Sequence, residues 1–199
     1  MNRLGKWSAS ILAIGGIAYA IVVVIGMVSY GLERPIGGIV LVVMEMLTLL
    51  LALVFLVMMA AIHSSAALEW KTNTLVALVF AALLAGISAT VHFVQLTALR
   101  QLGTAGLVWP SPMYAAELLA WDVFLGLSLL FAAPSLRGNR LRQVARTTMT
   151  ACGAMCLIGV LGPATGYMGL QFLAVAGYGL VLPVLCVLLA LNWSRTGGA

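Results

Sequence analysis

Charged residues are scarce in this chain of 199 residues. Asp, Glu, Lys and Arg together make up 8% of it, and 63% of it is hydrophobic, whereas about a quarter of an ordinary soluble domain is charged. So little charge excludes a soluble globular domain, because it cannot cover a surface that faces water. No polar or Pro/Ser-rich linker separates two bodies, so we expect a single domain over residues 1–199.

Cysteines and catalytic motifs are also few. The three cysteines, Cys152, Cys156 and Cys186, form no C-x-x-C pair, so the sequence predicts no thiol redox site. It has no H-E-x-x-H spacing for a metal, and Ser128 does not stand in a G-x-S-x-G motif for a nucleophile. We therefore predict no catalytic residue, no metal and no cofactor, and an enzyme is the less favoured class.

Six apolar stretches are present instead, and each matches the roughly 20 residues that cross a bilayer. They are residues 7–29, 36–62, 74–99, 114–134, 144–162 and 167–193. Segments rich in Gly, Pro or charge separate them, and such segments end helices. We predict an all-α integral membrane protein, a bundle of six transmembrane helices with short loops. In hydropathy alone it resembles small six-helix membrane proteins of bacterial type, which favours the inner (cytoplasmic) membrane.

Three local patterns qualify this prediction. The first stretch has the basic start of a signal peptide, but its apolar run continues to Val28, so we expect an uncleaved helix. The fifth stretch follows a basic segment, Leu141–Arg146, that favours an interfacial start. We expect Gly162–Gly166 to form a tight turn and Pro183 to kink the sixth helix.

The basic residues fall unequally on the two sides of a six-helix bundle. One side holds Arg3, Lys6, Lys71, Arg137, Arg140, Arg142, Arg146 and Arg195, and the other holds only Arg34 and Arg100. Because Lys and Arg in short loops stay in the cytoplasm, both termini are predicted to lie inside. Because the basic residues are spread over several loops, the net charge of +5 indicates orientation of the helices in the lipid bilayer and not binding to nucleic acid.

Four ionisable residues are predicted within the outer half of the bilayer. With a rise of about 1.5 Å per residue, Glu45 lies about 14 Å deep, Asp122 about 12 Å, His92 about 10 Å and Glu117 about 5 Å. An aspartate at the centre of a membrane helix costs about 2.5–3.5 kcal/mol, so such residues face the bundle interior. We predict Glu45, His92 and Asp122 as a central triad that lines a pocket, or that only forms a buried pair setting the helix register.

Helical spacing adds further residues to the predicted pocket. Ser88, His92 and Gln95 stand at i, i+4 and i+7 on one face of the third helix, and Tyr178 lies on the sixth. Glu117 and Asp122 are about 140° apart around a regular α-helix, so they cannot face the same neighbour. We therefore assign Glu117 to the outer rim, where Arg34, Arg100 and Trp109 also fall.

Three functions fit these residues. The first is a proton-coupled transporter or ligand-binding membrane protein with an outward-facing pocket, because histidine titrates near neutrality and the acids favour a small cationic or hydrophobic ligand. The second is a membrane-embedded enzyme acting on a lipid or isoprenoid, with His92 and an acid as base and acid. The third is a structural subunit or scaffold that assembles with itself or with a partner membrane subunit.

Overall fold

Six long helices form the molecule. The computed structural model describes residues 2–31, 36–103 and 106–196, and no β-strand occurs among them. The helices are α1 (Arg3–Tyr30), α2 (Gly38–Ser65), α3 (Leu68–Leu99), α4 (Pro112–Ser135), α5 (Arg140–Thr165) and α6 (Met168–Arg195). Each is long and apolar enough to cross a membrane. The predicted all-α chain with six such helices is confirmed.

The fifth helix and the turn after it differ from the prediction. The side chain of Asn139 accepts a hydrogen bond from the Arg142 backbone N–H at 3.0 Å and caps α5, so the basic segment forms its first turns. At the other end, α5 continues through the expected turn to Thr165. It ends at Gly166, whose φ of 77° is the left-handed conformation that closes a helix.

The helices pack in chain order as a closed ring. Each helix contacts its neighbours in sequence, and α6 returns to pack against α1. One half of the bundle is filled by large, fully buried side chains, which include Met58, Met59, Leu84, Leu129 and Leu185. A smaller cavity of about 230 Å³ lies at the end of this half, next to Arg142 and Asn192.

Most basic residues lie at the end of this filled half, which we call the basic end. The Arg137 guanidinium stacks over the Trp70 ring at 4.5 Å, and Arg142 Nε donates to Asn192 Oδ1 at 3.2 Å. The first contact joins the α4–α5 loop to the start of α3, and the second joins the start of α5 to the last turns of α6. Arg100 lies at the opposite end, whereas Arg34, predicted to lie there too, is outside the described residues.

Three helices contain a π-helical segment, in which a turn holds more residues than in an α-helix. The segments are Gln95–Leu99 in α3, Leu119–Phe124 in α4 and Gly177–Val181 in α6. In α6 the segment directly precedes Pro183, whose missing N–H interrupts the α-helical hydrogen bonding. Segments of this kind are frequent at functional sites, and these three face the same part of the bundle.

Candidate functional site

A cavity of about 360 Å³ occupies the half of the bundle away from the basic end. Its wall includes the first turns of α2 and α4, the last turns of α3 and the middle of α1 and α6. Leu107 and Val108 from the α3–α4 loop complete it. Each π-helical segment contributes one side chain to the wall, namely Gln95, Trp121 and Tyr178.

An acid–histidine cluster, made of Glu45, His92 and Glu117, lies on this wall. His92 Nδ1 hydrogen-bonds to Glu45 Oε2, and His92 Nε2 lies 2.7 Å from Glu117 Oε1. Three different helices therefore meet at one imidazole ring. His92 is 4% exposed and Glu45 3%, so water screens little of the interaction between the ring and the two carboxylates.

A second layer of hydrogen bonds holds Glu117 in place. Ser88 Oγ donates to Glu117 Oε1 at 3.0 Å, and Trp121 Nε1 donates to Ser88 Oγ at 3.2 Å. Glu117 Oε2 is different, because it is buried and has no hydrogen-bond partner among the described residues. The protein thus engages one oxygen of this carboxylate and leaves the other without a partner in this part of the chain.

Asp122 does not belong to this cluster, so the predicted triad is wrong at this position. Its side chain is fully buried and accepts a hydrogen bond from Gln171 Nε2 of α6 at 3.2 Å. Glu117, assigned to the rim, contacts His92 in its place. The two acids do face different helices, as their angular separation required. The acid that contacts His92 is Glu117 and not the predicted Asp122.

The spacing of the residues along α4 explains why Glu117, and not Asp122, faces His92. Tyr114, Glu117 and Trp121 recur at i, i+3 and i+7, the pattern of one helical face, and all three line the cavity. The prediction ranked the acids by depth, which does not determine the direction of a side chain. Asp122 hydrogen-bonds a neutral amide through one of its oxygens, so its depth did not require the histidine.

The remaining predicted residues are divided between the cavity and its surroundings. Gln95 lines the cavity, and its Oε1 accepts a hydrogen bond from the Gly106 backbone N–H at 2.9 Å. Tyr178 also lines it and packs against Trp121, with ring centroids 5.8 Å apart. Ser88 is buried behind the wall. Arg100 and Trp109 are exposed at the cavity end of the bundle.

Aromatic side chains form the part of the wall that sequence reasoning largely missed. Tyr19, Tyr114 and Trp121 line the cavity together with the predicted Tyr178. The sequence indicates Tyr114 and Trp121, because they recur with Glu117 on one face of α4. Nothing in the sequence of α1 distinguishes the inward face that carries Tyr19. No Lys or Arg lies among the described residues that line the cavity.

The cluster is not a metal-ligand set. Both ring nitrogens of His92 already face a carboxylate oxygen. Across the residues that the structure describes, no group of three or more His, Cys, Asp and Glu side chains is arranged to hold a metal ion. What the site offers chemically is negative charge, a titratable imidazole and aromatic faces.

No known protein family, curated protein or solved structure matches this chain.

Proposed function

We propose that the chain is a multi-pass membrane protein whose cavity binds a small amphipathic organic cation. The six apolar helices and the collection of basic residues at one end support a membrane orientation with both termini in the cytoplasm. The cavity then opens toward the opposite side of an inner-type membrane. The proposal rests on the charge, the surfaces and the size of this cavity.

The charge of the acid–histidine cluster favours a cation. With both glutamates ionised, the cluster carries a net charge of −1 when His92 is protonated and −2 when it is neutral. The described residues that line the cavity include no Lys or Arg to compensate it. A buried charge without a partner is costly, so a positively charged ligand stabilises the site.

The aromatic wall suits the same ligand class. A cation over the face of a Trp or Tyr ring is attracted by the ring quadrupole, by about 0.5–2 kcal/mol depending on its desolvation. Tyr19, Tyr114, Trp121 and Tyr178 provide such faces next to the carboxylates. The cavity volume of about 360 Å³ lies within the range of about 300–1,000 Å³ typical of small-molecule sites.

His92 gives this site a means to exchange a proton for the ligand. A protonated His92 is the resident cation between Glu45 and Glu117. An incoming cation stabilises the same carboxylates, so it lowers the need for the imidazole proton and favours its release. Binding is therefore expected to strengthen as the pH rises, which is the coupling that a proton-linked transporter uses.

The observation that carries the proposal is Glu117 Oε2, which is buried and has no partner among the described residues, beside an aromatic cavity whose described lining contains no Lys or Arg. We favour this function over a lipid-directed enzyme because both ring nitrogens of His92 are engaged by carboxylates, which leaves neither for a substrate. We favour it over a scaffold because a purely structural polar cluster does not require an adjoining cavity.

Isothermal titration calorimetry in lipid nanodiscs tests the proposal with two ligands of the same shape and opposite charge. Tetraphenylphosphonium is expected to bind the protein, and tetraphenylborate is not. Replacing Glu117 by Gln keeps the acceptor for His92 and Ser88 but removes the charge. The phosphonium should then bind about 10- to 100-fold more weakly, the range for loss of a charged hydrogen-bonding partner.

Glu69→Gln is the matched control, because Glu69 is exposed in the first turn of α3, far from the cavity, where it accepts a hydrogen bond from Trp70 Nε1. This variant should bind the phosphonium as the wild type does. Equal binding of both ligands, or equal affinity of the Glu117→Gln and Glu69→Gln proteins, would overturn the proposal.

A further inference from the structure

Asp122 and Gln171 form a second buried polar contact, outside the cavity, where side chains of α4 and α6, the two neighbours of α5 in the ring, meet. Asp122 is fully buried and Gln171 is 5% exposed. Gln171 Nε2 donates to Asp122 Oδ1 at 3.2 Å. Neither residue lines the cavity, so the cation site described above does not account for them.

Both side chains of this pair have an oxygen without a partner. Asp122 Oδ2 and Gln171 Oε1 are buried and accept no hydrogen bond from any residue that the structure describes. Buried polar atoms are rarely left in this state, because each loses its water without a replacement. An ionised aspartate can only accept hydrogen bonds, so it cannot satisfy the amide oxygen of Gln171.

One proton satisfies both atoms. A protonated carboxylic acid has an O–H donor in addition to its carbonyl acceptor. With the proton on Oδ2, Asp122 donates to Gln171 Oε1 while its Oδ1 continues to accept from Gln171 Nε2. An acid and an amide then form a cyclic pair with two hydrogen bonds, and no charge is buried.

We propose that Asp122 and Gln171 form a proton-binding site between α4 and α6, in which Asp122 is a neutral acid hydrogen-bonded to the amide of Gln171. Release of this proton breaks one hydrogen bond and leaves a charge in a fully buried position. The bound proton therefore holds the two helices together, separately from the proton on His92.

The groups around Asp122 supply no charge that replaces this proton. The titratable side chains whose charge would act on it are Tyr114 of α4, Cys156 of α5 and Tyr178 of α6. In α3, which packs against the same segment, His92 is engaged by Glu45 and Glu117. Among the described residues, no Lys, Arg or His forms an ion pair with Asp122.

The sequence permits a measurement on the unmutated protein, because Asp122 is its single aspartate. Cell-free synthesis with aspartate labelled by ¹³C at the side-chain carboxyl marks this group alone. The infrared spectrum of labelled minus unlabelled protein, reconstituted at neutral pH without any ligand, should contain the carbonyl stretch of a protonated acid, corresponding to one carboxyl per chain. Carboxylate stretches in its place would overturn the proposal.

A variant of the partner tests the assignment to Gln171. Gln171→Leu removes the amide, so the carbonyl stretch of Asp122 should shift to higher frequency or be replaced by carboxylate bands. An unchanged band in this variant would contradict the proposed pair. If this variant does not fold, the wild-type spectrum alone still decides whether Asp122 carries a proton. No cation is added in either experiment, so failure of the proposed ligand binding would not affect the result.

Discussion

The side chain of Ser88 on α3 contacts two cavity residues of α4. Its hydroxyl donates to Glu117 Oε1 and accepts from the Trp121 indole, although Ser88 itself is fully buried behind the wall. It therefore acts as a positioning residue, which fixes one carboxylate and one aromatic ring relative to each other. Trp121 and Glu117 have different chemical roles toward a cation, but they depend on the same hydroxyl.

Replacing Ser88 by Ala should weaken binding of tetraphenylphosphonium by roughly fivefold, the equivalent of about one net hydrogen bond. The Trp121 indole also loses its acceptor, so the tryptophan emission spectrum of the ligand-free protein should change. Both effects are measured by fluorescence titration in nanodiscs.

Ser128→Ala is the matched control for this variant. Ser128 is equally buried, but its hydroxyl donates to the Ala77 carbonyl in the filled half of the bundle, at 2.8 Å. This control should leave affinity and emission unchanged. If both alanine variants change the affinity equally, Ser88 has only a general effect on stability and no positioning role.

At the scale of single helices, α4 has two different faces. The stripe of Tyr114, Glu117 and Trp121 faces the cavity, whereas Asp122 faces α6. The π-helical segment Leu119–Phe124 contains both Trp121 and Asp122 and places them toward these two environments. One helix therefore contributes to the proposed cation site and to the contact with Gln171.

The contact between α4 and α6 predicts a dependence of stability on pH. In the unfolded chain an aspartate is ionised at neutral pH, so folding with a protonated Asp122 takes up one proton. The free energy of unfolding should then fall as the pH rises, by about 1.4 kcal/mol per pH unit while Asp122 keeps its proton. Denaturant unfolding in mixed micelles at several pH values measures this slope.

Asp122→Asn is the reference protein for this slope. An asparagine can form the same two hydrogen bonds with Gln171 without a proton, so the variant should fold and lack this contribution. The difference between wild type and variant removes the effects of other titrating groups. Identical pH dependence in the two proteins would contradict a protonated Asp122.

Hydropathy was sufficient to locate the helices, because a span of apolar residues long enough to cross a membrane has few alternative structures. The ends differ most from the predicted ones at the start of α3, which begins at Leu68 and not at Thr74. At the start of α5, the Asn139 cap moves the boundary to Arg140. The partners of the acids were not predictable in the same way. The depth of a residue follows from counting along the helix. Glu117 contacts His92 because of the side of α4 from which its side chain projects, which depth does not determine.

The π-helical segments also had no signal that the sequence analysis used. Pro183 predicts a disturbance in α6, but no proline accompanies the segments in α3 and α4. Their positions depend on how the helices pack around the cavity, which a count of 100° per residue ignores. Sequence therefore identified Glu45 and His92 of the cluster, while Tyr19 and the role of Glu117 required the structure.

The whole molecule has two dissimilar halves. The half at the basic end is filled by large apolar side chains and carries the stacked Arg137 and Trp70. The other half contains the cavity and the acid–histidine cluster. A packed half joined to a half with a polar cavity supports the proposed binding of a ligand from one side of a membrane.

Proton release during cation binding tests the central claim most directly. Tetraphenylphosphonium has a permanent charge and does not titrate, so any released proton comes from the protein. Calorimetric titrations in buffers of different ionisation enthalpy, over a series of pH values, count these protons. We expect up to about one proton per bound cation in the wild type, affinity that rises with pH, and no release in His92→Gln. Binding without proton release at every pH, or the same release in the His92→Gln protein, would contradict the account.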